Sequence, residues 1–209
     1  MSAPKDAVIF MPAHSPSNAT GNLYIMRAVP GCGKTHRASR LASQVRGVIL
    51  SADHFYGEGE EYRKNWSREK AHLGHRDCEG KCLKAMQAKT ESIIIDNTNI
   101  SLQGFRYYLD EAVDRNYNVY FVYPDSPWWT DSVLPFLKQK TGDPKAIADT
   151  LFQKNTHGVP KETILDMMNR FQWVTYDDYL TSVEAKLEAA KKEVGELEKK
   201  LGRIRDMYL

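Results

Sequence analysis

Residues 23–35 read LYIMRAVPGCGKT, an apolar, strand-prone run that breaks at Pro30-Gly31 and closes on a lysine beside a hydroxyl. Helical spacing of Ala38, Leu41, Ala42 and Val45 follows at once. Strand, glycine-rich turn and helix in that order form a phosphate cradle. The glycines let backbone N–H groups wrap an anion without side-chain collision, and the helix offers it the positive end of its dipole. Gly31, Cys32, Gly33, Lys34 and Thr35 are therefore expected to hold ATP, with Lys34 reaching the β and γ phosphates and the Thr35 hydroxyl ligating Mg2+. Ala28, a small residue, stands where the pattern G-x-x-x-x-G-K-[ST] has its first glycine.

Outward from this turn the chain alternates. Strands are expected at 47–53, 92–99 and 118–124, and helices at 33–45, 67–88, 102–115 and 161–171. Alternation of this kind implies right-handed crossovers and a parallel sheet covered on both faces. The fold class is thus α/β: a P-loop NTPase-type parallel sheet flanked by helices, with a helical lid and a C-terminal coiled-coil-like helix. In such sheets ligands sit beyond the carboxyl ends of the strands, where the polar residues of this chain gather.

Asp53 closes the second strand, across the crevice from the cradle. A carboxylate there can take the proton of an attacking hydroxyl; the plainer reading is a turn cap. Asp96 closes the third strand, where P-loop proteins keep a carboxylate that orients magnesium, and Asn97, Thr98 and Asn99 extend it with uncharged donors and acceptors. The loop after Asp53 carries Phe55, Tyr56, Tyr62, Arg63, Lys64 and Trp66, a mixture suited to a stacked base and its phosphates, and equally to core packing.

The 209 residues divide into a flexible leader (1–21), a P-loop kinase domain (22–178, with a lid at about 125–160) and a C-terminal amphipathic helix (179–209). In the last, Leu180, Val183, Leu187, Ala190, Val194, Leu197, Leu201, Ile204 and Tyr208 alternate steps of three and four. That seam predicts a coiled coil and a homo-oligomer, its strand orientation left open; a lone amphipathic helix is the alternative. Hydrophobic residues make up 42% and charged residues 27%, and the net charge is +2, so a polyanion site must come from local clusters rather than a global field. Cys32, Cys78 and Cys82 without a secretory signal point to reduced thiols in the cytoplasm, and no run is apolar enough to engage a membrane as a span.

The ordered set PGCGKT, LSADHF, DNTN, YPDSPW and KNTHGVPKETILDMMNRF resembles the polynucleotide kinase family, in the branch whose kinase-like domain occurs in ubiquitin-ligase-binding proteins. The resemblance covers about 23–173. It implies that Asp53 is the general base toward an acceptor hydroxyl and that the region before HGVP is a lid gripping phosphate; within the candidate lid segment 138–170, Lys154 and Arg170 are its cations. Phe55, Tyr56, Arg63, Asn97, Asn99 and His157 are then candidates to bind the acceptor, a nucleic acid, by default through a 5′-hydroxyl end. A hydroxymethyl group on a modified base such as 5-hydroxymethyluracil, a nucleoside or nucleotide, and a non-catalytic nucleotide-binding adaptor working through its coiled coil are the rival readings.

Overall fold

A computed structural model describes residues 9–14 and 16–208 of the chain, with side-chain surroundings for 16–204. Strand β2 (Gly21–Met26) is the spine of a five-stranded sheet ordered β1-β5-β2-β4-β3. Its neighbours β4 (Ser92–Ile95) and β5 (Tyr117–Val122) run parallel to it, with Ile25 opposite Ile95 on one side and Phe121 on the other. β3 (Val48–Leu50) extends the parallel set beyond β4. β1 (Ile9–His14) pairs antiparallel with β5, so a strand lies where a flexible leader was expected. The leader expectation for 1–8 and 15 falls outside the described residues.

Burial on both faces explains the near-continuous apolar runs of the inner strands. Leu23, Ile25, Met26, Ile93, Ile94 and Ile95 are all fully buried. Helices α1 (Lys34–Val45), α3 (Ala71–Gln87) and α4 (Leu102–Asp114) cover the sheet, each turning small or apolar residues inward: Ala38 and Leu41 from α1, Cys78 and Cys82 from α3, Phe105 and Leu109 from α4. The three cysteines are buried and free.

The parallel strands end two to four residues earlier than their apolar runs suggested, because the chain leaves the ladder to build a site. After β3, Ser51 accepts from the Asp53 N–H (3.2 Å) and starts a 3-10 turn, Ala52–Tyr56. The helix expected at 67–88 is α3, and the loop expected before it contains a short helix, α2 (Gly59–Asn65). The lid region folds as a π turn (Trp129–Val133), α5 (Leu134–Gln139) and α6 (Pro144–Lys154), and α7 (Lys161–Asn169) packs against α6. The chain divides after Trp173, and the second unit, Val174–Leu209, holds one long helix, α8 (Tyr176–Tyr208). Among the described residues no helix is long and apolar enough to cross a membrane.

Arg27, the residue after β2, is fully buried. Its guanidinium donates to the Asn99 carbonyl (3.0 Å), the Tyr123 hydroxyl (3.1 Å) and the Gln172 carbonyl, and lies 4.7–5.9 Å from the rings of Phe105, Phe121, Tyr123 and Phe171. A charged fork is tolerated there because its donors meet oxygens while aromatic faces replace water around the rest of the ion. Arg27→Met keeps the volume and strands those acceptors, so urea unfolding should show a loss of about 3 kcal/mol or more, with the slope against urea unchanged.

Candidate active site

The cradle is built on backbone held from two sides. Gly31 and Gly33 take φ of 80° and 84°, a left-handed backbone that glycine adopts without strain, and both line the hollow at the start of α1. The Trp128 indole N–H donates to the Gly31 carbonyl (2.9 Å), and the Ser126 hydroxyl donates to the Cys32 carbonyl (3.0 Å). From the lid, α6 presses the Leu151 carbonyl against Gly31. Cys32 is buried and its thiol is pushed up to about 12 by that burial, so it offers this hollow an amide and no nucleophile. Lys34 Nζ donates to the Val29 carbonyl (3.3 Å), and Lys154 Nζ stands 4.1 Å over the Trp128 ring.

Lys34, Thr35, Asp53, Asp96, Lys154 and His157 line one cleft of about 350 Å3, of small-molecule size. Strand order explains the arrangement. β4 separates β2 from β3, so Asp96 sits between the cradle and Asp53. Asp53 is half exposed; one of its oxygens accepts from the Tyr62 hydroxyl (3.0 Å), and the other lies 3.6 Å from His157 Nε2. The His157 ring rests on Tyr62, and Tyr62 stacks on Trp66. Burial first, and the Asp53 charge second, push the Tyr62 phenol up, so it stays protonated as a donor.

Asp96 is buried, and one of its carboxylate oxygens has no hydrogen-bond partner. Burial raises its pKa, Lys34 and the Thr35 hydroxyl oppose the rise, and Asp53 adds to it. A desolvated carboxylate with a free oxygen beside a threonine hydroxyl suits a hard cation such as Mg2+. No cluster of three or more His, Cys, Asp or Glu able to hold a metal occurs among the described residues, so such a cation would complete its shell with phosphate and water. The raised pKa also has a sign. Ionised Asp96 costs more in the folded than in the unfolded chain, so it subtracts stability above its raised pKa, and the penalty fades as pH falls toward the ordinary value. Asp96→Asn should therefore raise the thermal midpoint of the ligand-free protein at pH 7, by an amount that shrinks in acid; a lower midpoint at pH 7 would contradict the reading.

Several expected site residues lie elsewhere. Tyr56 is buried, donates to the Lys70 carbonyl (2.8 Å) and accepts from the Gly74 N–H (3.1 Å), bracing α3 rather than facing the cleft. Phe55 is exposed and packs edge-on against Tyr56, outside the cleft lining. Asn97 touches the cleft, but its amide is engaged by the Ala52 N–H (2.9 Å) and the Tyr108 hydroxyl (3.3 Å). Asn99, at φ 48°, donates to the Met26 carbonyl (2.9 Å) and fixes the end of β2. Arg170 is a surface residue paired with Asp166 one helical turn back (2.6 Å), and it does not line the cleft. Arg63 borders the neighbouring hollow that also holds Asp53 and His54. The sequence reading overlooked Ser126 and Trp128 as clamps of the cradle. Their position just past the carboxyl end of β5 was the available signal.

The AAA domain family matches residues 23–130. NEDD4-binding protein 2 of Homo sapiens is 33% identical over 153 residues, 72% of this chain, which spans 8% of that relative's length. Among solved structures, the Pnkp1/Rnl/Hen1 RNA repair complex aligns at TM-score 0.49 and 18% identity, covering 74% of this chain and 45% of that one. A gluconokinase from Sinorhizobium meliloti 1021 aligns at TM-score 0.40 and 10% identity, covering 82% and 99%. Likeness of that degree says nothing of substrate.

Proposed function

The chain belongs to the AAA domain family; we propose that it is a kinase moving the γ-phosphoryl group of ATP to a hydroxyl of a nucleic acid, by default a 5′-hydroxyl end. The observation that carries the reading is the placement of Asp53 in one cleft with Lys34, Thr35 and Asp96. A nucleotide switch or adaptor needs the cradle and the magnesium ligands but no second, half-exposed carboxylate across from them.

In the proposed reaction the acceptor O–H gives its proton to the Asp53 carboxylate as its oxygen bonds to the γ phosphorus. The bond from that phosphorus to the bridging oxygen breaks, and ADP leaves. The Tyr62 hydroxyl holds the Asp53 carboxylate in orientation, and Lys34 supplies charge along the β and γ phosphates. Mg2+, held by Thr35 and Asp96, would neutralise phosphate charge as it transfers. Lys154, carried on α6 above Trp128, is the cation the lid brings to this cleft. Tyr62 and Trp66 give an acceptor base an aromatic wall, and Arg63 and His157 lie within the same hollows for its phosphates.

The human relative, 33% identical over 153 residues, supports the family part of this reading and leaves the acceptor open. Incubation with γ-labelled ATP and a panel of 5′-hydroxyl DNA and RNA oligonucleotides, a 5-hydroxymethyluracil duplex and free nucleosides should label a 5′-hydroxyl oligonucleotide. Transfer only to the modified duplex or to nucleosides would move the acceptor; transfer to none of them would end the kinase reading.

A further inference from the structure

Helix α8 presents its apolar seam to solvent: Leu187, Val194, Leu197, Leu201 and Ile204 are each more than half exposed. Steps of three then four make Leu187, Val194 and Leu201 the a positions of a heptad and Ala190, Leu197 and Ile204 the d positions. The flanks follow from that register. Glu184, Lys191 and Glu198 occupy e, and Lys186, Glu193 and Lys200 occupy g. We propose that α8 pairs with the α8 of a second copy of this chain in antiparallel orientation, Leu187 layered on Ile204, Val194 on Leu197 and Leu201 on Ala190 of the partner copy.

Charge selects both orientation and register. In a parallel pair each g residue meets the e residue five positions on in the other chain, which sets Lys186 against Lys191 and Glu193 against Glu198, all like charges. In the antiparallel pair e faces e and g faces g. With the layers above, Lys191 meets Glu198, Glu193 meets Lys200, and the dyad repeats both contacts. A slip of one heptad in one direction sets Lys191 against Lys191 and Glu193 against Glu193. A slip in the other sets Glu198 against Glu198 and Lys200 against Lys200. Of these arrangements one is attractive at every pair. Exposed pairs contribute little stability individually, so they choose among arrangements while the seam supplies the drive. Lys191 also reaches Glu188 on its own helix (2.8 Å), a contact compatible with a second carboxylate alongside.

The test uses the intact chain. Sedimentation should give a dimer, and Leu197→Lys, which places a charge in the central layers, should give a monomer with unchanged circular dichroism. Lys191→Glu should weaken the dimer about tenfold, since two pairs turn repulsive, and adding Glu198→Lys should restore it. A spin label on Ala185→Cys reads orientation, because Cys32, Cys78 and Cys82 are buried. In the proposed register position 185 lies opposite 206, so the two labels stand about 30 Å or more apart, against less than about 20 Å for a parallel pair. A monomer at all concentrations, a short distance between labels, or a tighter dimer in Lys191→Glu would each overturn the proposal.

Discussion

Asp53→Asn is expected to slow phosphoryl transfer by about two to four powers of ten, with ATP affinity nearly unchanged. The substitution keeps size and shape, and the side-chain oxygen of asparagine can still accept from Tyr62, whose hydroxyl lies 3.0 Å from the native carboxylate. What it removes is a group able to receive the acceptor proton. Single-turnover transfer and calorimetric titration with a non-hydrolysable ATP analogue separate the two quantities. If affinity falls in step with rate, Asp53 belongs to nucleotide binding. If transfer survives at the native rate, another base serves, and the placement of Asp53 across from the cradle has no catalytic meaning. Neither outcome would disturb the pairing of α8, which sedimentation reads independently.

Gly31→Ala should abolish ATP binding and lower the thermal midpoint by roughly 5–10 °C. Two costs combine. The backbone holds φ of 80°, where a β-carbon costs about 1–2 kcal/mol, and that carbon would lie 2.2 Å from the Leu151 carbonyl oxygen. The second contact is with main chain in α6, so no side chain can rotate away; either α6 retreats or the cradle distorts. Gly158 isolates the first cost. It has φ of 67° with open space where a β-carbon would sit, so Gly158→Ala should lower the midpoint by only a few degrees. Equal shifts in the two variants would show that the packing of α6 on the cradle contributes nothing.

The parts of the site legible in the sequence are those whose residue type is forced by a backbone task or a bare electrostatic one. Gly31 and Gly33 had to be glycines at left-handed φ, Lys34 and Thr35 open a helix, and Asp53 and Asp96 follow apolar strands. The rest was ambiguous because a polar group after a strand reads alike whichever way it turns. Asn97 and Asn99 look like ligand donors, yet one holds the Ala52 N–H and the other the Met26 carbonyl, stitching the tips of β3 and β2 to the loop after β4. Tyr56 shares its loop with Tyr62, but the absence of a side chain at Gly74 lets α3 come close enough to take Tyr56 inward, while Tyr62 keeps its hydroxyl on Asp53. Arg170 carried a lid assignment on motif position alone; the i–4 spacing to Asp166 is what claims it. Strands were foreseen too long for the same reason. Apolar character continues into residues such as Ala28, which leaves the ladder to bond the Thr98 carbonyl (3.1 Å).

The indole of Trp128 bonds the main chain of Gly31 on its edge and carries the Lys154 ammonium on its face. It is one of four tryptophans in the chain. Indole emission depends on nearby charge, so an anion that draws the ammonium off the ring changes the colour and yield of the light this residue returns. The protein thus carries an intrinsic fluorophore at its phosphate loop: titration with ATP should alter the spectrum of the native chain, and Trp128→Phe should silence that change while the other three indoles continue to shine.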